Sequence, residues 1–181
     1  MKWMIASDIH GSAYYCNVLL EAFKASGCEK LILLGDLLYH GPRNDLPKDY
    51  APNKVISMLS AMKDRVLCVR GNCDTEVDQM VLPFPILADY ALFVLDGISV
   101  FATHGHHHGE DNPPMLKKGD VLLCGHTHVA KCTQHGNFLY LNPGSVSIPK
   151  EGTGHGYLIY ENKTFTRHLI EGEGIAFSVS L

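Results

Sequence analysis

Five short apolar runs in this chain each end near a glycine or a hydroxyl residue, with Asp, Asn or His at or just past that point. Trp3-Met4-Ile5-Ala6 leads into Ser7-Asp8-Ile9-His10, and Leu31-Ile32-Leu33-Leu34 into Gly35-Asp36. Val66-Leu67-Cys68-Val69 leads past Arg70 into Gly71-Asn72-Cys73-Asp74. Ser99-Val100-Phe101-Ala102 leads into Thr103-His104-Gly105, and Val121-Leu122-Leu123-Cys124 into Gly125-His126-Thr127-His128. Short apolar runs bounded by turn residues read as buried strands. In open α/β sheets, ligands collect beyond the carboxyl ends of the strands. Together these rules gather Asp8, His10, Asp36, Asn72, His104, His126 and His128 around one spot. Such a cluster is a metal site.

The rest of the chain organises around these strands. Residues 2–7 form a strand, and Ser12 caps a helix that runs to about Ser26 and stops at Gly27. Tyr15, Val18, Leu19, Ala22 and Phe23 repeat at helical spacing. A second strand at Leu31–Leu34 completes a βαβ unit, which requires parallel pairing. Residues 37–51 break every periodic pattern, and a loop of that length beside Asp36 reads as a flap over the site. Pro52 opens a helix through Val55, Ile56, Leu59 and Met62. From residue 86 onward the chain is strand-rich, with segments near 91–95, 98–103, 121–124, 137–141, 157–160, 164–170 and 175–180. Asp96-Gly97 and Asn162-Lys163 are hairpin turns, and a short helix is expected near Pro113–Lys117. One domain spanning 1–181 follows, α/β first and β-rich second, as two packed sheets with helices outside.

Composition narrows the class. A formal net charge of −4 and the lack of a long Lys/Arg run give no nucleic-acid-binding signal. The first apolar run is too short for a signal peptide, and no stretch reaches membrane-spanning length. Six cysteines without close pairing fit reduced thiols and a cytoplasmic location. Ile175-Ala176-Phe177 reads as either core strand or an interface between copies of the chain.

Imidazole, carboxylate and amide oxygens suit divalent first-row metals, and seven such groups exceed what one tetrahedral ion takes. Two ions sharing one carboxylate use all seven, and Asp36, alone on its strand end, is the natural bridge. Manganese is the expected ion, with iron, zinc, cobalt and magnesium as alternatives.

The ordered motifs D-x-H, G-D, G-N-x-D, a lone H-G and G-H-x-H over residues 1–147 resemble those of the calcineurin-like metallophosphoesterases. Thr103-His104-Gly105-His106, Asn142-Pro143-Gly144-Ser145 and His40-Gly41-Pro42-Arg43-Asn44 make the chain similar to the small YfcE-type phosphodiesterases within that family. The resemblance implies a four-layer αββα sandwich of two mixed β-sheets flanked by helices. It implies one metal on Asp8, His10, Asp36 and His128, and a second on Asp36, Asn72, His104 and His126. A hydroxide between the ions would attack a small phosphodiester in line with the leaving oxygen. Asn72, His104, Asp74 and His106 are the catalytic candidates, with Asp74 orienting a ligand or a neighbouring His from behind. Arg43 and His40 in the flap are candidates for substrate binding.

One position departs from the family. Many members carry G-N-H-D or G-N-H-E, with that His as general acid, whereas this chain has Cys73. A thiol is a weaker proton donor than an imidazolium, so esters with poor leaving groups are expected to turn over slowly. Two other readings stay open at this point. The same site suits a phosphomonoester or nucleotide substrate, and one branch of the family uses the fold as a non-enzymatic protein-interaction scaffold.

Overall fold

The computed structural model describes residues 1–172 and 174–181. A six-stranded sheet begins with three parallel strands, β1 (Lys2–Ala6), β2 (Lys30–Leu33) and β3 (Val66–Cys68). A second sheet has five strands: β4 (Tyr90–Leu95), β5 (Ile98–Thr103), β6 (Asp120–Leu123), β7 (Lys131–Gln134) and β8 (Phe138–Asn142). The chain then returns to the first sheet as β9 (Gly156–Glu161), β10 (Thr164–Leu169) and β11 (Ile175–Ser180). The spatial orders are β11-β10-β9-β1-β2-β3 and β4-β5-β6-β8-β7, so both sheets are mixed.

Side-chain alternation explains why the two sheets stack. Ile5 and Ile32 point toward the second sheet, where they meet Val100, Val121, Leu123 and Leu141. Their neighbours Met4, Ala6, Leu31 and Leu33 point the other way, onto helix α1 (Ala13–Ser26) and helix α2 (Pro52–Ser60). Successive strand residues face opposite sides, so a strand that is apolar throughout must be covered on both. A fully buried Leu or Ile in these layers contributes roughly 1.5–3 kcal/mol. Ser12 caps α1 by accepting from the Tyr15 N–H, and Gly27 ends it in the left-handed region at φ 70°.

Both expected hairpins are present. Asp96 and Gly97 join β4 to β5, and Asn162 and Lys163 join β9 to β10, all four residues having positive φ. The C-terminal segment Ile175-Ala176-Phe177 lies in β11, the outermost strand of the first sheet.

One local expectation needs correction, and two elements were not expected. The segment near Pro113–Lys117 is not helical: adjacent prolines remove backbone donors, and the Asp120 carboxylate accepts from the Lys117 N–H to close a turn instead. The outer face of the second sheet, with Leu122, Phe138 and Tyr140, therefore packs against Leu116 of an irregular segment. Helix α3 (Glu76–Val81) was not anticipated, because it buries no residue and shows no apolar face. Its sequence sign is local: Thr75 and Asp78 form a capping box. The edge strand β7 was likewise missed, being polar and mostly exposed.

Residues 37–51 are irregular and firmly anchored. The Gly11 N–H donates to the Leu37 carbonyl, the Ser12 hydroxyl to the Lys48 carbonyl, and the Ala13 N–H to the Asp49 carbonyl. Leu37 and Leu38 are buried beneath the loop.

Candidate metal centre

Strands β1, β2 and β3 run parallel in one sheet, and β5 and β6 in the other, and the segments leaving their carboxyl ends meet where the sheets abut. The main chain there turns sharply. Asp8, His10, Asp36, His126 and His128 all adopt positive φ, between 49° and 66°. Each such conformation costs a non-glycine residue about 1–2 kcal/mol, and clusters of that kind mark functional sites. Glycines allow the close approach: a Cβ on Gly71 would overlap the Asp36 carboxylate, and one on Gly125 would overlap Ser7.

Three imidazoles are oriented by main-chain carbonyls. The Nδ1–H groups of His10, His104 and His128 donate to Tyr39, Leu34 and Ile148, at 2.7, 2.7 and 2.8 Å. Each ring is left with an Nε2 lone pair turned inward. His10 Nε2 and His128 Nε2 stand 3.1 Å apart, and Asp8 Oδ1 lies 3.6 and 3.3 Å from them. Around His104 Nε2 stand Asn72 Oδ1 at 3.0 Å and His126 Nδ1 at 3.2 Å. One oxygen, Asp36 Oδ2, is 3.6 Å from His10 Nε2 and 3.5 Å from His104 Nε2. The donors thus form two adjacent groups with Asp36 between them.

The donor set fits divalent cations. Inward lone pairs face one another, and Asp8 Oδ1 is buried with no hydrogen-bond partner. Acceptors crowded in this way repel unless a cation or a proton lies between them. The titration behaviour of the protein atoms alone expresses the same demand. Burial pushes the Asp8 carboxyl up, but the adjacent imidazoles of His10 and His128 and the charge of His104 hold it well below the carboxylate range. Burial lowers His104, yet Asp36 and Asp8 outweigh it and raise the imidazole to about 9. His126 is lowered, first by burial and then by the charge of His104.

All seven residues expected to ligate metal come together here. Asp74 lies behind them, as expected, but it orients main chain rather than a histidine. Its carboxylate accepts from the N–H groups of Asp36, Leu37 and Gly71 at 2.8, 2.9 and 2.8 Å, fixing the turn that presents Asp36. A cavity of about 380 Å³ opens above the centre, with Arg43, Asn72, Cys73 and Thr127 in its walls. His40 is not among the lining residues; its ring packs edge-on to Tyr39 and Tyr50. His106 lines a neighbouring cavity of about 290 Å³ with Asn112 and Thr127, its ring 5.4 Å from that of His104. Burial and the charges of His104, His107 and His126 lower it to about 4.

Cys73 reaches the centre from two directions: its N–H donates to Asp36 Oδ1 at 2.8 Å, and its Sγ accepts from the Asn72 amide at 3.3 Å. Burial first, then the Asp36 charge, pushes its thiol up to about 12. Sequence reasoning missed Lys150, which also lines the main cavity. At and just past the Asn142-Pro143-Gly144-Ser145 motif, the hydroxyls of Ser145 and Ser147 both donate to the Asp8 carbonyl, at 2.8 and 3.1 Å.

A family model described as the calcineurin-like phosphoesterase superfamily domain matches residues 1–164. The chain belongs to that superfamily. It is 46% identical to phosphodiesterase YfcE of Escherichia coli strain K12, over all of this chain and 98% of that protein. The solved structure of YfcE, a phosphoesterase from E. coli, superposes with a TM-score of 0.97 over 99% of both chains. Zinc-complexed Vps29 from Entamoeba histolytica shares the fold, with a TM-score of 0.62 at 16% identity over 99% of this chain and 98% of its own.

Proposed function

We propose that this chain is a phosphodiesterase with a two-metal centre, hydrolysing a small phosphodiester to a phosphomonoester and an alcohol. The observation that carries this reading is the position of Asp36 Oδ2, shared between the donor groups around His10 and His104. In this reading Asp8, His10, Asp36 and His128 hold one cation, and Asp36, Asn72, His104 and His126 hold the other. Two divalent cations, manganese in our proposal, would make a water nucleophilic at neutral pH and offset charge on the phosphoryl oxygens. The 46% identity to a phosphodiesterase over the full chain supports diesters over monoesters.

The protein's own groups supply orientation. Main-chain carbonyls of Leu34, Tyr39 and Ile148 accept from the Nδ1 side of three imidazoles and turn each Nε2 toward the centre. Asp74 fixes the Asp36 turn, and Ser145 and Ser147 fix the backbone of Asp8. Cys73 keeps its proton at neutral pH and has little tendency to give it up, so the departing oxygen must be a good leaving group or draw its proton from water. All six cysteines are free thiols, which supports a cytoplasmic setting.

The test is turnover of a chromogenic diester and its monoester by metal-stripped protein supplied with Mn²⁺, Mg²⁺ or Zn²⁺, beside an Asp36→Asn control. Mn²⁺-dependent diester cleavage that the control lacks is the expected result. Stronger cleavage of the monoester would reassign the substrate, and no turnover of either ester would overturn the enzymatic reading.

A further inference from the structure

The cavity above the centre carries two positive charges, whereas a simple diester brings one negative charge. Arg43 comes from the flap after β2 and Lys150 from the turn after β8, more than a hundred residues apart in sequence, and both line the same cavity. Neither belongs to an ion pair among the described residues. Lys150 is held in place through its backbone, whose N–H donates to the His128 carbonyl at 3.0 Å. Arg43 follows Gly41 and Pro42 in a loop closed by the Asn44 amide donating to the His40 carbonyl at 2.8 Å. The remaining wall groups are neutral or belong to the metal-ligand set.

The charge count decides what these cations face. Asp8, Asp36 and Asp74 are the buried carboxylates of the centre, and together with a nucleophilic hydroxide they would balance two divalent cations. A phosphodiester is a monoanion and offsets one of the two cations Arg43 and Lys150. The other is then left without a counter-charge in a cavity of about 380 Å³. A guanidinium and an ammonium lining one cavity are suited to phosphate or carboxylate oxygens.

The geometry points to Arg43 and Lys150 as an anion subsite for a second charged group on the substrate, so that the natural substrate is a phosphodiester with a phosphate or carboxylate on one arm. This assignment rests on the phosphodiesterase reading and narrows it. Because both cations are exposed, the subsite selects modestly and is sensitive to salt.

The experiment uses three 4-nitrophenyl ethyl phosphodiesters whose ethyl arm ends in a hydroxyl, a carboxylate or a phosphate, hydrolysed by manganese-loaded protein. The subsite predicts kcat/KM about tenfold higher for a charged arm than for the hydroxyl arm at low salt, expressed mainly in KM and shrinking as ionic strength rises. The ranking of carboxylate against phosphate identifies the group the subsite takes. Arg43→Gln and Lys150→Gln should each reduce the charged-to-neutral ratio, whatever they do to absolute rates. Both side chains are exposed, so neither substitution threatens the fold. Calorimetric binding of the three phosphomonoester products should follow the same order, a readout independent of turnover. Equal kcat/KM for all three diesters, or a ratio unchanged in both variants, overturns the subsite while leaving the phosphodiesterase intact. Failure to cleave any of the three, with products still binding in the charged-arm order, instead overturns the phosphodiesterase reading and keeps the anion subsite.

Discussion

The Nε2 atoms of His10 and His128 stand 3.1 Å apart, and each ring has committed its Nδ1 proton to a main-chain carbonyl. Two imidazole lone pairs at that distance repel, so the folded chain holds an arrangement that becomes favourable when a proton or a metal cation lies between them. Asp8 Oδ1, buried and without a hydrogen bond, adds a negative charge to the same point.

Metal removal is therefore expected to destabilise the fold. Manganese at about 100 times its Kd stabilises by about 2.7 kcal/mol per site. For a chain of this size, that lowers Tm by roughly 5–10 °C for each site that chelation empties. Differential scanning calorimetry with and without a chelator checks it, and re-addition of Mn²⁺ should restore the parent value.

Manganese affinity should rise with pH. In the metal-free chain Asp36 and Asp8 hold His104 protonated up to about 9, and a ligand must lose that proton before it can bind. The sign follows directly: Kd falls as pH increases below that value, by about tenfold per unit for each proton displaced. Calorimetric titrations between pH 6 and 8 measure the slope. A pH-independent Kd would show that His104 is not a ligand.

Asp74→Asn should damage the fold and the centre together. The carboxylate satisfies three buried N–H groups, whereas an amide offers one acceptor oxygen and turns N–H groups toward donors. A loss of about 2–4 kcal/mol is expected in urea unfolding, with weakened manganese binding because the Asp36 turn loosens.

Much of this centre is legible in the sequence because strand ends are. Leu31-Ile32-Leu33-Leu34 must be buried on both faces, and Asp36 just beyond it must lie at the sheet edge where ligands gather. His104 and His126 follow by the same argument. Lys150 is not legible in that way. It sits in a turn whose path is set by Ser145 and Ser147 reaching back to Asp8, a contact between opposite ends of the chain. Helix α3 is invisible to periodicity because no face of it is buried, and only its Thr75–Asp78 cap betrays it. The direction of the His40 ring is not legible either, because motif proximity says nothing about it, and the ring turns toward Tyr39 and Tyr50.

Cys73 sets the demand on the leaving group. With its thiol pushed up to about 12, the parent enzyme should slow steeply as the leaving alcohol becomes less acidic. Cys73→His places a better proton donor at the same wall of the cavity. Rates for alkyl esters should rise by about 10²-fold or more while nitrophenyl esters change little. A parallel change for both kinds of ester would remove proton donation from the account of this position.

The shared Asp36 oxygen is the centre of the account, and electron paramagnetic resonance of the manganese-loaded chain tests it most directly. Two Mn²⁺ per chain with the spectrum of an exchange-coupled pair, lost in Asp36→Asn, is the result predicted. Two magnetically isolated ions, or a single ion per chain at saturation, would contradict a centre bridged by Asp36.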